Sequence, residues 1–205
     1  MSSVVDATLL AEVFITLFVI MDPPGTVPIF LALTSGTSPA ARRRAAWQAV
    51  SVSFAVIVLF ALFGRQLLGY LHISLAALQG AGGLLLLLVA LELLTGRGDE
   101  PSAAAEVNVA MVPLGTPLLA GPGAIVATMV FVEQVDASPA LVAVVTGVLG
   151  VHLALWLSMR YSVVVLRLLG DSGVTLVTRI SGLLLSAIAV QLIADSVRAF
   201  VAGEG

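Results

Sequence analysis

Asp22 stands in the run Met21-Asp22-Pro23-Pro24-Gly25-Thr26-Val27-Pro28, inside a stretch that is otherwise apolar from about Val4 to Leu33. A carboxylate in so apolar a setting is costly, and residues kept there usually have work to do. Three kinds of work fit Asp22. It could hold a substrate ammonium group, carry a coupling proton, or cap a helix whose first turn begins with Pro23. The neighbouring residues add chemistry of their own. An internal proline removes an N–H donor and clashes with the preceding turn, at about 3 kcal/mol or more. A helix should therefore break here. A half-helix ending near Met21 presents free carbonyls, which suit an ammonium group. One beginning near Gly25 presents N–H groups and about half a positive charge, which suit a carboxylate. Thr26 offers a hydroxyl, and Pro28 adds a third proline to the interruption.

A second run has the same character. Pro113-Leu114-Gly115-Thr116-Pro117 is followed by Gly121-Pro122-Gly123 in an apolar stretch from about Val107 to Val132. Two such breaks, facing each other, would suit a zwitterion. The glycines allow close backbone approach. The lining is small and offers no cation for an anionic side chain, which favours small neutral substrates. The alternative is that the prolines only kink two packed helices.

Other polar residues at membrane depth are fewer. Glu92 and Gln191 occupy matched positions in two apolar segments and read as a structural polar pair, interfacial groups or, for Glu92, a proton-coupling residue. His152 is a candidate proton relay or an interhelical hydrogen-bonding group. Gln48, Ser51 and Ser53 read as packing or facing water, and Glu133 and Asp195 as solvated segment ends. Enzymatic constellations are missing from the sequence: there is no His-Glu-x-x-His, no Gly-x-Ser-x-Gly and no phosphate-binding glycine loop with lysine. With two histidines and no cysteine, neither a metal site nor thiol chemistry is expected, and no cofactor is called for.

The elements that must position these residues follow from composition. The 205 residues are 60% hydrophobic and only 10% charged, against roughly 25% charged in an average soluble domain. A globule of this size cannot hide so much apolar surface. Spanning helices need about 20 apolar residues each. Six segments can be read: the two already described, and four more at about Ala45–Leu68, Leu75–Leu94, Leu141–Met159 and Val174–Val201. Runs such as Leu84-Leu85-Leu86-Leu87-Leu88 do not alternate, so helices are expected and a β-barrel is not. No Lys or Arg precedes Arg42, so the first segment lacks the basic flank of a cleaved signal and should be retained. Arg42, Arg43, Arg44, Arg97, Arg160, Arg167 and Arg179 fall on one side of the expected topology, and Arg65 and Arg198 on the other. Positive charge favours the cytoplasm, so both termini are expected outside. The one basic run has this topological reading, and no nucleic-acid partner is expected.

The halves resemble each other. Pro23-Pro24-Gly25-Thr26 matches Pro113-Leu114-Gly115-Thr116 at an offset of 90, and Gly83-Leu84-Leu85-Leu86 matches Gly182-Leu183-Leu184-Leu185 at an offset of 99. The two offsets imply an insertion between the halves. Three spans per half require the second copy to be inverted in the membrane, as in many secondary transporters. The expected fold is therefore a single all-α membrane domain over 1–205. It has six transmembrane helices as two inverted three-helix repeats (1–95 and 107–205), with helices 1 and 4 broken at the Pro/Gly motifs.

Met21-Asp22-Pro23-Pro24-Gly25-Thr26-Val27-Pro28-Ile29-Phe30 resembles the first signature of the MarC family of integral membrane proteins. Pro113-Leu114-Gly115-Thr116-Pro117-Leu118-Leu119-Ala120-Gly121-Pro122-Gly123-Ala124-Ile125 resembles its second, and Arg179-Ile180-Ser181-Gly182-Leu183-Leu184-Leu185 its sixth helix. Pro24-Gly25-Thr26 departs from the usual Gly-Asn form of the first signature. The resemblance covers nearly the whole chain. It implies a six-helix protein of a bacterial or archaeal inner membrane, related to LysE-type exporters. It also implies similarity to transporters of glycine, alanine and close relatives, with proton coupling. The expected partners are thus a small neutral amino acid, the lipid bilayer and protons, with homo-oligomerisation open. A channel or exporter for another small solute or drug, and a non-transporting scaffold, are the competing expectations.

Overall fold

The computed structural model describes residues 6–95, 119–133, 135 and 138–203, and they form seven helices with no strand among them. These are α1 (Ala7–Met21), α2 (Pro23–Leu33), α3 (Pro39–Leu71), α4 (Leu75–Thr95), α5 (Pro122–Glu133), α6 (Ser138–Arg160) and α7 (Ser162–Ala202). Five stretches among the described residues are long and apolar enough to cross a membrane: Ala7–Leu33, Pro39–Leu71, Leu75–Thr95, Pro139–Arg160 and Ser172–Ala202. The sixth expected span appears only as α5, twelve apolar residues long, because its upstream part lies outside the described residues.

Local chemistry sets the helix ends. Asp6 caps α1 by accepting from the N–H groups of Thr8 and Leu9 at 3.0 and 3.1 Å. Ser38 caps α3 through Ala41 N–H, with Pro39 in the first turn where its missing donor costs nothing. His72 ends α3 in the left-handed region at φ 55°. Gly170 (φ 65°, ψ 170°) puts a kink inside α7. Gly170-Asp171-Ser172-Gly173 is thus a bend within a helix.

Apolar helices gain little by hiding from lipid, so packing rests on close backbone approach at small residues and on hydrogen bonds between helices. The broadest contact is α4 against α7. A Cβ added at Gly83 would lie 2.8 Å from both the Ala189 carbonyl and Ile193 Cγ1. One added at Gly182 would lie 3.2 Å from the Ala90 carbonyl and from Leu94 Cγ. Each glycine of one helix thus receives the other helix's backbone. Ser196 Oγ completes the seam, donating to the Ala76 carbonyl at 2.7 Å. The outward faces are apolar: Leu84 and Leu183 are 55% and 62% exposed, a surface that lipid would cover. On the other side α1 packs on α6, where Gly147 admits Val13.

The contacts share one offset. Gly83 with Ala189 and Ile193 becomes Gly182 with Ala90 and Leu94 when each residue is exchanged with the one 99 positions away. The same interval separates the starts of α2 and α5 (Pro23, Pro122) and of α3 and α6 (Pro39, Ser138). Ser53 and His152, hydrogen-bonded to each other, are also 99 apart. These positions all follow the offset of 99. The Pro113-Leu114-Gly115-Thr116 run that gave the offset of 90 lies outside the described residues. Within them, the counterpart of Asp22-Pro23-Pro24 is Gly121-Pro122-Gly123.

Candidate functional site

Asp22 is the residue between α1 and α2, and its backbone is left-handed at φ 39°, ψ 67°. Its N–H donates to the Phe18 carbonyl at 3.0 Å and closes α1; its carbonyl accepts from Thr26 N–H at 3.0 Å and opens α2. The two helices thus join at one residue held in a region that non-glycine residues rarely adopt. Asp22 occupies the N-cap position, but its side chain makes no capping hydrogen bond. It reaches across to α7, where Ser181 Oγ donates to Asp22 Oδ1 at 3.2 Å. The residue is 94% buried (6% exposed), and its other oxygen, Oδ2, has no hydrogen-bond partner.

Gly25 makes this placement feasible. A Cβ there would collide with Asp22 Oδ2 and would lie 3.1 Å from Thr178 Oγ1 of α7. The absent side chain is the space in which the carboxylate sits. Pro23 and Pro24 fill the first two positions of α2 and have no N–H. Thr26 N–H is already bonded to Asp22. Gly25 is therefore the first residue of α2 with a donor to offer, and the expected set of free N–H groups at this end shrinks to one. Thr26 is buried, and its hydroxyl donates to the Pro23 carbonyl at 2.8 Å, so the expected free donor is spent on its own helix. Pro28 is exposed on α2 and stands away from this junction's buried face.

The electrostatics of the junction favour a cation. A carboxylate with one orphan oxygen lies beside the carbonyl end of α1, and both attract positive charge, against the partial positive charge at the start of α2. An unpaired buried carboxylate oxygen is expensive, and each such atom requires an explanation.

The start of α5 differs in kind. The Gly121 carbonyl accepts from Ala124 and Ile125 at 3.0 and 3.2 Å, Pro122 takes the first position, and Gly123 is buried against Leu86. No acid stands there among the described residues. Met21, which ends α1, belongs to the same buried cluster as Leu119, Ala120 and Ala124 at the start of α5. The remaining expected site residues of this segment, Pro113, Gly115, Thr116 and Pro117, lie outside the described residues.

The other candidates separate from this junction. His152 is buried between α6 and α3. Its Nδ1 lies 2.8 Å from the Val148 carbonyl, which can only accept, so Nδ1 carries the proton. The neutral ring then accepts the Ser53 hydroxyl at Nε2 over 3.3 Å. Phe54 meets the ring edge-on at 5.2 Å. Both ring nitrogens are engaged, and Ser53 is fully buried. Glu92 is exposed on α4 and forms no pair with Gln191, which instead donates to Asp195 of its own helix at 2.9 and 3.0 Å. That side-chain spacing of four residues is the nearer partner on a helix. Glu133 pairs with Arg65 at 3.3 Å, tying α5 to α3. Sequence reading missed Ser181 and Thr178 as neighbours of Asp22, although Ser181 belongs to the Arg179-Ile180-Ser181-Gly182 run that it had singled out.

Comparison with known proteins agrees with this architecture. A family model described as "MarC family integral membrane protein" matches residues 7–201. A UPF0056 membrane protein of Methanocaldococcus jannaschii is 37% identical over 193 residues, covering 90% of this chain and 94% of its own length. The UPF0056 membrane protein YvbG of Bacillus subtilis is 32% identical, covering 90% and 92%. The UPF0056 membrane protein YhcE of Escherichia coli is 30% identical, covering 93% and 92%. No solved structure matches the chain significantly.

Proposed function

This chain belongs to the MarC family of integral membrane proteins, and from that premise we propose that it is a secondary transporter of small neutral amino acids such as glycine and alanine. It works by alternating access across the inner membrane, coupled to protons. The observation that carries the proposal is the orphan Oδ2 of Asp22, buried at the α1–α2 junction and held from α7 by Ser181. A substrate ammonium group or a coupling proton would satisfy it. The substrate carboxylate goes to the start of α5, where Gly121, Pro122 and Gly123 leave a helix N-terminus with no competing acid. Pro113, Gly115, Thr116 and Pro117, which lie outside the described residues, are proposed to belong to that half of the site.

The single offset of 99 supports an inverted repeat. In such a repeat the two junctions are equivalent positions on opposite halves, and rocking one half against the other exposes a site between them alternately to each side. Asp22 and Ser181 come from different halves, so their hydrogen bond is a contact that such rocking would make and break. Glu92 and His152 stand less well as coupling residues than Asp22, since one is exposed and the other has both nitrogens bonded.

The test is flux of radiolabelled glycine or alanine in proteoliposomes, with and without a pH gradient. Saturable uptake that responds to the gradient is expected. Uptake that never saturates would indicate a channel, and no flux in either direction would overturn the proposal. Asp22→Asn keeps the size and the Ser181 contact but removes the charge. It should reduce flux at least about tenfold, as loss of a charged contact of about 1.4 kcal/mol or more does, while leaving helix content unchanged. Wild-type flux in this variant would leave Asp22 with no part in transport.

A further inference from the structure

Two of the arginines have a ready account in ion pairs. Arg65 pairs with Glu133 and Arg198 with Asp195, each at 3.3 Å. Three others behave differently. Arg42 and Arg43, in the first turn and a half of α3, and Arg160, the last residue of α6, line one pocket of about 230 Å³. Among the described residues, no acid lines it. Arg42 Nε is buried there without a hydrogen-bond partner. Arg160 is held at the rim by Tyr161, whose ring centre lies 5.3 Å from the guanidinium carbon.

Topology alone accounts for arginines on one side of a membrane, but it does not require them to converge from separate elements, nor one of them to keep a buried donor idle. Backbone adds to the charge. The pocket lies where α3 and α7 both begin, and the first turn of α7 has no side-chain cap. The starts of α3 and α7 contribute partial positive charge beside three guanidinium groups, and the last carbonyls of α6 oppose it in part. Guanidinium forks match phosphate oxygens in geometry.

The surroundings identify the source of the phosphate. Val163 and Val164 line the same pocket at 46% and 58% exposure, and Leu168 follows one turn later at 83%. Tyr161 is half exposed beside them, as aromatic residues at a membrane boundary are. An anion bound here has apolar surface running away from it along α7. We propose that the pocket formed by Arg42, Arg43 and Arg160 binds the headgroup phosphate of an anionic phospholipid, whose acyl chains lie on the exposed apolar face of α7. Basic pockets between spanning helices are suited to such headgroups. The site is separate from Asp22 and does not depend on the transport reading.

The test uses the full chain purified in neutral detergent. Retained lipid is read by native mass spectrometry and thermal midpoint by unfolding, with dioleoylphosphatidylglycerol, dioleoylphosphatidylcholine and inorganic phosphate as the three probes. Phosphatidylglycerol should bind at least about tenfold more tightly than phosphatidylcholine and raise the midpoint. Arg42→Gln or Arg160→Gln should weaken it by about fivefold to tenfold each. Arg167→Gln, which removes an exposed arginine outside the pocket, should leave it unchanged. Equal binding of the two lipids, or an Arg167→Gln loss as large as that of Arg42→Gln, would overturn the proposal. A midpoint rise from inorganic phosphate equal to that from phosphatidylglycerol would overturn the lipid assignment in favour of a soluble phosphate. If Arg42→Gln does not fold, the same comparison is made with Arg43→Gln, whose side chain is exposed.

Discussion

Gly25 and Asp22 divide one small volume between them, so changes at the first are felt at the second. Gly25→Ala would drive its methyl into Asp22 Oδ2 and against Thr178. Overpacking of this kind costs about 1–3 kcal/mol. The variant should unfold at a lower temperature and lose transport along with Asp22→Asn. Gly69→Ala is the control, since that position opens onto empty space within α3. It should be neutral or stabilising by up to about 1 kcal/mol. Ser53 and His152 allow a cleaner measurement. A double-mutant cycle with alanine at each should give a coupling of about 0.6–2 kcal/mol, the range for hydrogen bonds between membrane helices. A coupling near zero would mean that the 3.3 Å contact contributes nothing. Asp22 was legible in the sequence because a charged residue among apolar ones is rare and costly. Ser181 and Ser53 were not, because a serine can satisfy its hydroxyl on its own helix, as Ser186 does, and its type says nothing about which partner it finds.

Helix pairs carry the next level of organisation. Gly83 and Gly182 each accept the opposing backbone of the α4–α7 seam, and the two environments are alike under the exchange of 99 residues. Gly83→Leu and Gly182→Leu should therefore destabilise by similar amounts, measured as loss of the folded fraction in detergent titration. A large effect at one and none at the other would speak against equivalence of the halves. Five of the six apolar segments expected from the sequence appear as long apolar helices among the described residues, at the places where they were expected. The register between halves has two readings in the sequence. The fourth segment holds two Pro-Gly clusters, at 113–117 and 121–123, and matching residue letters chose the first. Helix starts choose the second, because the backbone break, and not the identity of the residues around it, sets where α2 and α5 begin.

The uneven distribution of arginines implies an orientation of the whole molecule, and because the chain has no cysteine that orientation can be tested directly. Thr37, Tyr70 and Gly203, the positions for single cysteines, are all exposed and lie at helix ends. In intact cells, Tyr70→Cys and Gly203→Cys should react with an impermeant maleimide, and Thr37→Cys only after permeabilisation. The reverse pattern would invert the orientation argued from the arginines. The equal spacing of the two halves also bears on ancestry. A contact set that maps onto itself under one fixed shift is what tandem duplication of a gene of about one hundred codons leaves behind, once both copies have settled as antiparallel partners. On the proposed inverted repeat, a three-helix ancestor would have inserted in both directions and paired with itself, and Asp22 and Gly121 would descend from one residue present twice. Loss of the acid from one copy, or its gain by the other, would then have made the two junctions chemically different.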